Sequence, residues 1–175
     1  MIAWIQLLRP MQWSKNLIVL AGLLFSQNLT DKAHVLQSLG AFIAFCLGSS
    51  SMYIFNDIVD REKDREHPRK KNRPIAAGRI SPLSAAVLSF ILAVAALSLA
   101  FLIKEAFFFI LLLYMVVTIS YTVAFKRVVI LDVVIIALGF VLRAVGGTVV
   151  IQVPLSPWLL LCAFLLSLFL ALGKR

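Results

Sequence analysis

The sequence predicts an all-α, polytopic transmembrane helical bundle, and three observations predict it. Of 175 residues, 62% are hydrophobic and mean hydropathy is +1.00, more apolar surface than a soluble core of this size can hide. Charged residues are few and cluster in short stretches between uncharged runs of membrane-crossing length. The basic excess, 17 Lys and Arg against eight Asp and Glu, falls almost entirely on one side of those runs. In a soluble chain it would suggest nucleic acid, but no aromatic-basic module of the kind nucleic-acid readers use is present.

The uncharged runs parse the chain. Residues 16–30 are short for a crossing but gain length from the apolar stretch before Arg9 and Pro10. Residues 33–56, 80–103 and 106–125 contain no Asp, Glu, Lys or Arg. Residues 128–151 form the next crossing, interrupted by Asp132 and Arg143, and after the turn at Pro154 and Pro157 residues 158–173 form the last. The expectation is therefore one membrane domain over 1–175 with about six crossings. If the crossings alternate, one side collects Arg9, Lys15, Arg61, Lys63, Arg65, Arg69, Lys70, Lys71, Arg73, Arg79, Lys126, Arg127, Lys174 and Arg175, against Lys32 and Lys104 opposite. The basic side faces the cytoplasm. Trp4, Trp13 and Trp158 suit interfacial anchoring. Cys46 and Cys162 lie in apolar runs without metal-ligand or disulfide spacing, and packing is their reading. The N-terminus lacks the basic region and small-residue site of a cleavable signal.

The chemistry-bearing segment spans 56–79, where the second crossing leaves the membrane on the cytoplasmic side. It reads N-D-x-x-D-x-x-x-D through Asn56, Asp57, Asp60 and Asp64, and on a helix this spacing gathers the carboxylates on one side. Such a row is stable only with a cation among its members. Mg²⁺ suits these oxygen ligands and completes its shell with water and phosphate. Lys70 and Arg73 follow as donors for phosphate oxygens. Carboxylates holding metal beside cations holding phosphate make a diphosphate clamp, which turns diphosphate into a good leaving group. The competing reading is a solvated loop of alternating charge. Arg61 and Arg65 pair within the loop, His67 takes a structural role, and Lys71 and Arg79 serve as anchors.

Two polar groups lie elsewhere. Arg143 sits eleven residues past Asp132, about 16 Å deeper on a helix, where a charge faces a bundle interior or polar cavity. Its role there is either catalytic or structural. Asp132 is a local cap or ion-pair partner.

The run Asn56, Asp57, Asp60, Asp64, His67, Pro68, Lys70, Arg73, Pro74 and Ile75 resembles the first aspartate-rich motif of the UbiA prenyltransferase superfamily. The segments Leu8 to Asn16, Tyr121 to Arg127, and Leu155 to Arg175 resemble its decaprenyl-phosphate phosphoribosyltransferase branch. The resemblance covers essentially the whole chain. It implies a bacterial inner-membrane transferase with its site facing the cytoplasm and Mg²⁺ held by Asp57, Asp60 and Asp64. Asn56, Lys70, Arg73, Lys126, Tyr121 and Arg143 would contact the substrates, Lys126 reaching the phosphate region unless it only snorkels to the interface. The implied reaction moves phosphoribosyl from phosphoribosyl diphosphate to polyprenyl phosphate, making a lipid-linked pentose donor for the cell envelope. Members have about nine crossings and a second polar motif after the sixth. This chain ends where that motif would begin, so the expectation is an incomplete bundle, inactive alone. An aromatic prenyltransferase of quinone or haem biosynthesis is the alternative within the superfamily. A transporter or assembly scaffold is the non-enzymatic one. The oligomeric state, a homo-oligomer included, is left open.

Overall fold

The computed structural model describes residues 2–26, 29–127 and 129–173, all of whose regular elements are helical. Helix α1 (Ile2–Leu8) stops at Arg9, whose backbone is left-handed at φ 53° and ψ 57°. Pro10, lacking an N–H, then opens a 3₁₀ segment (Pro10–Leu20) that leads into α2 (Ala21–Phe25). The expected first crossing is thus three short pieces rather than one helix.

Helix α3 (Lys32–Val59) starts on Asp31, whose Oδ1 accepts the Ala33 N–H at 2.8 Å, satisfying one of the orphan donors of a first turn. Its 28 residues span about 42 Å, longer than a hydrocarbon core of about 30 Å. Its last turn, carrying Asn56 and Asp57, therefore emerges into the polar layer. Helix α5 (Pro82–Ile103) begins with Ser81 capping the Ser84 N–H at 3.0 Å and with Pro82 in the first turn. One extended residue, Lys104, separates it from α6 (Glu105–Val123). Helix α7 (Val129–Val150) closes at Gln152, at φ 56°, and α8 (Pro157–Gly173) follows.

Among the described residues, four helices are long and apolar enough to cross a membrane: 32–59, 82–103, 105–123 and 131–150. The last apolar helix is shorter, and the first crossing is broken. Helix α3 is the central post, with 61% of its most apolar stretch buried against 17% for α5. Phe90, Phe101, Leu102, Phe109 and Phe169 are exposed, as expected of side chains solvated by lipid. Inside, the rings of Phe107 and Tyr114 stand 5.7 and 5.5 Å from that of Phe45. A Cβ on Gly146 would come within 2.8 Å of Phe45, so α7 needs glycine there to approach α3. Lipid is as apolar as the side chains, so close packing and polar clasps join such helices. Ser51 Oγ donates to the Ser89 carbonyl at 2.7 Å and Ser89 Oγ to the Ser51 carbonyl at 2.9 Å, bonding α3 to α5.

Candidate diphosphate site at the end of helix α3

The aspartate motif is not one continuous helix. Helix α3 stops at Val59, Asp60 adopts φ −89° and ψ 3°, and helix α4 (Arg61–Glu66) starts after it. Helical hydrogen bonding bridges the break: Asp60 N–H to the Asn56 carbonyl at 2.9 Å, Asp64 N–H to the Asp60 carbonyl at 2.8 Å. The carboxylates therefore stay on one side while the chain bends. Asp57 and Asp64 are each 3% exposed, and charges so buried require partners.

Those partners come from three distant parts of the chain. Arg73 Nη1 donates to Asp57 Oδ1 at 2.9 Å and to Asp64 Oδ2 at 2.6 Å, joining the two. Arg9 Nη2 donates to Asp57 Oδ1 at 2.5 Å, its guanidinium 5.3 Å from the Tyr53 ring centre. Lys126, in the 3₁₀ turn after α6 (Phe125–Arg127), pairs with Asp60 Oδ1. Three cations thus balance three carboxylates.

Local structure explains how Arg73 is aimed. His67 Nδ1 accepts the Arg69 and Lys70 N–H groups at 3.2 and 3.3 Å, which starts the short 3₁₀ turn Lys70–Asn72. The Pro74 carbonyl accepts from Arg79 and Ile80, and Gly78 supplies the φ of 71° that this return requires. Ile75 and Ile80 then bury beside Leu7, Ile54 and Ala85. The apolar contact docks the loop onto α1, α3 and α5, with Arg73 facing the aspartates. Arg65 pairs with Glu62 at 3.1 Å and donates to the Ala76 carbonyl, and Arg61 also pairs with Glu62. Intra-loop pairing was the expectation for both.

The other expected site residues divide. Asn56 lies half-buried beside Asp57, and Lys70 is exposed with no ion pair among the described residues. Tyr121 donates its hydroxyl to Asp132 Oδ1 at 2.7 Å, bracing α6 against α7. Arg143 is joined to none of the aspartates. It is 5% exposed and donates to Asn16 Oδ1, the Gly139 carbonyl and the Tyr114 hydroxyl. Trp13, expected as an interfacial anchor, is partly buried and donates to Ser50 Oγ at 3.0 Å. Arg9, by sequence an orienting charge within the Leu8 to Asn16 segment, was not among the expected site residues. Its one local sign of more was its position inside an apolar run, directly before proline.

For a divalent cation the donor chemistry fits, because each ion pair engages one oxygen of its carboxylate and leaves the other for a further ligand. Among the described residues, however, no three acidic or imidazole groups converge on one point. The arrangement suits an ion held by one or two carboxylates, with phosphate and water completing the shell. The basic partners can in turn exchange a carboxylate oxygen for a phosphate oxygen at little electrostatic cost.

Comparison with known proteins shows what the chain is similar to. Over 98% of the chain, identity is 41% to a decaprenyl-phosphate phosphoribosyltransferase of Mycolicibacterium smegmatis and 34% to one of Mycobacterium tuberculosis. The chain covers 55% and 58% of those proteins, so it spans about half the length of the curated relatives it matches. The fold is shared with a UbiA homologue from Archaeoglobus fulgidus bound to DMAPP and Mg²⁺, at TM-score 0.81 and 21% identity over 98% of this chain and 62% of that one. It is also shared with digeranylgeranylglyceryl phosphate synthase, at TM-score 0.80 and 24% identity over 98% and 60%. The UbiA prenyltransferase family profile matches residues 16–173, and the chain, a multi-pass integral membrane protein, belongs to that family.

Proposed function

We propose that this chain carries the diphosphate-binding part of a Mg²⁺-dependent transferase that moves 5-phosphoribosyl from phosphoribosyl diphosphate to polyprenyl phosphate. The observation that carries the reading is the set of Asp57, Asp60 and Asp64 at a helix end, each held by a basic side chain able to turn to phosphate. Relatives of that name at 34–41% identity support the choice of substrates. The UbiA homologues bound to Mg²⁺ with DMAPP or GPP support a divalent metal as cofactor.

In this reading one or two carboxylates of the set Asp57, Asp60 and Asp64 would directly hold the ion, which would supply charge neutralisation for the departing diphosphate. Arg73 and Lys126 take diphosphate oxygens as they release their carboxylates, and exposed Lys70 adds a third cation at the loop edge. Asn56 donates to an oxygen near Asp57. Tyr121, fixed by Asp132, limits the α6–α7 side of the site. An oxygen of the polyprenyl phosphate bonds to the anomeric carbon while the carbon–oxygen bond to diphosphate breaks, diphosphate leaving with the electron pair. Positioning and charge stabilisation suffice, and no protein nucleophile is required. The site faces the cytoplasm of a bacterial inner membrane, and the product feeds envelope polysaccharide synthesis.

Transfer of label from phosphoribosyl diphosphate to polyprenyl phosphate tests the reading, with and without Mg²⁺, for this chain and for the chain continued beyond Arg175. Mg²⁺-dependent labelling of the lipid in either form is the expected result. Prenyl transfer to an aromatic acid, with no labelled lipid from phosphoribosyl diphosphate, would replace it with the aromatic prenyltransferase reading.

A further inference from the structure

Arg143 is a cation deep in a crossing helix with no carboxylate partner among the described residues. At a bilayer centre such a charge is costly to insert. Its neighbours offset this by solvating the guanidinium: Asn16 Oδ1 at 2.7 Å, the Gly139 carbonyl at 2.7 Å and the Tyr114 hydroxyl at 2.8 Å, with the Tyr114 ring centre 4.6 Å away. Of these, Asn16 belongs to the 3₁₀ segment.

That segment is itself unusual. Its 11 residues far exceed the three or four over which 3₁₀ geometry normally persists, and nothing in its sequence favours that form. Tertiary contacts must hold it. Asn16 Nδ2 donates to Ser49 Oγ at 3.1 Å and to Cys46 Sγ, and Trp13 donates to Ser50 Oγ. Ser50 Oγ in turn donates to the Leu8 carbonyl at 2.9 Å. One turn beyond Arg143, a Cβ on Gly147 would collide with the Val19 carbonyl. Arg143 and Gly147 thus present one face of α7 to the segment, one binding it and the other giving it room. At its far end stands Arg9, left-handed although not glycine, and docked on Asp57. Strain of this kind persists only where surrounding structure imposes it.

We propose that Arg143 is a positioning residue. Through Asn16 it locks the Pro10–Leu20 segment in its extended 3₁₀ form, and this delivers Arg9 to Asp57. The consequence for ligand binding rests on the diphosphate reading above; the lock itself does not. Relaxation of eleven residues from 3₁₀ to α-helical rise shortens the segment by about 5 Å, enough to withdraw Arg9 from the site.

The test uses the chain in lipid nanodiscs with Cys162→Ser, leaving buried Cys46, and spin labels on Met11→Cys and Lys63→Cys, both exposed positions. The parent should give one narrow distance. With helical content unchanged, Arg143→Met and Asn16→Ala should each add a population displaced by about 5 Å, and Asn16→Asp, which keeps an acceptor for the guanidinium, should not. Should Arg143→Met fail to fold, Asn16→Ala decides alone. Unchanged distances in the folded variants would overturn the proposal. Unlabelled protein is then titrated with inorganic pyrophosphate and Mg²⁺ by calorimetry. Arg143→Met should weaken binding about tenfold, a loss of about 1.4 kcal/mol, and Arg143→Met with Arg9→Met should bind no worse than Arg9→Met alone. Additive losses would overturn the route through Arg9. A parent that binds no pyrophosphate while Arg143→Met still shifts the labels would refute the diphosphate reading and leave the lock standing.

Discussion

Removal of Arg73 gives the sharpest test of how the aspartates are held. Asp64 is 3% exposed and Arg73 is its ion-pair partner, whereas Asp57 retains Arg9. Arg73→Met therefore strands one buried carboxylate rather than two. Breaking a fully buried pair costs about 3–5 kcal/mol. The Arg73 side chain is 25% exposed, so water screens part of that loss, and about 2 kcal/mol is expected. Asp64→Asn in the Arg73→Met background removes the stranded charge and should restore at least about 1 kcal/mol. Equilibrium unfolding of the four members of this cycle in mixed micelles measures the coupling. Losses that add within about 0.3 kcal/mol would show that the pair is not energetically real, and the account of the loop as an ionic clasp would fall with it.

Further outcomes follow from the same geometry. Arg73→Met frees Asp64 Oδ2, while Asp57 Oδ1 keeps Arg9, so Mg²⁺ alone should raise its melting temperature more than the parent's, as thermal melts with and without MgCl₂ will show. Lys126→Met removes the ion-pair partner of Asp60 and should weaken pyrophosphate binding about tenfold, a loss of about 1.4 kcal/mol, read by calorimetry. Gly147→Ala drives a methyl group into the Val19 carbonyl and should cost more than about 3 kcal/mol or prevent folding. Gly173→Ala, with open space around it, should change stability by less than about 0.5 kcal/mol on the same unfolding assay. Ser51→Ala should cost about 1 kcal/mol by leaving Ser89 Oγ with only the carbonyl it already uses.

Residues 33–56 and 80–103 were legible as crossings because in lipid the hydrogen-bonding demand of the backbone leaves helix as the form for a long uncharged run. The same rule misled at 16–30. Asn16 looks like an ordinary span residue there, yet residues 16–20 belong to the 3₁₀ segment Pro10–Leu20, which side chains from α3 and α7 hold. The aspartate spacing was visible, and so was the basic character around it. Which cation meets which carboxylate was not.

The sequence by itself determined that this is a membrane-embedded helical chain with its acidic motif at a helix exit, because hydropathy, charge asymmetry and motif spacing are local properties. Only tertiary structure decided that Arg9, Arg73 and Lys126 converge on Asp57, Asp60 and Asp64 from 48, 16 and 66 residues away. It also placed Arg143 against Asn16 of the Pro10–Leu20 segment rather than against the aspartates. Pairings of that range depend on how closely the helices approach, and here the approach is set by Gly146 and Gly147 against Phe45 and Val19, contacts that no window of sequence contains.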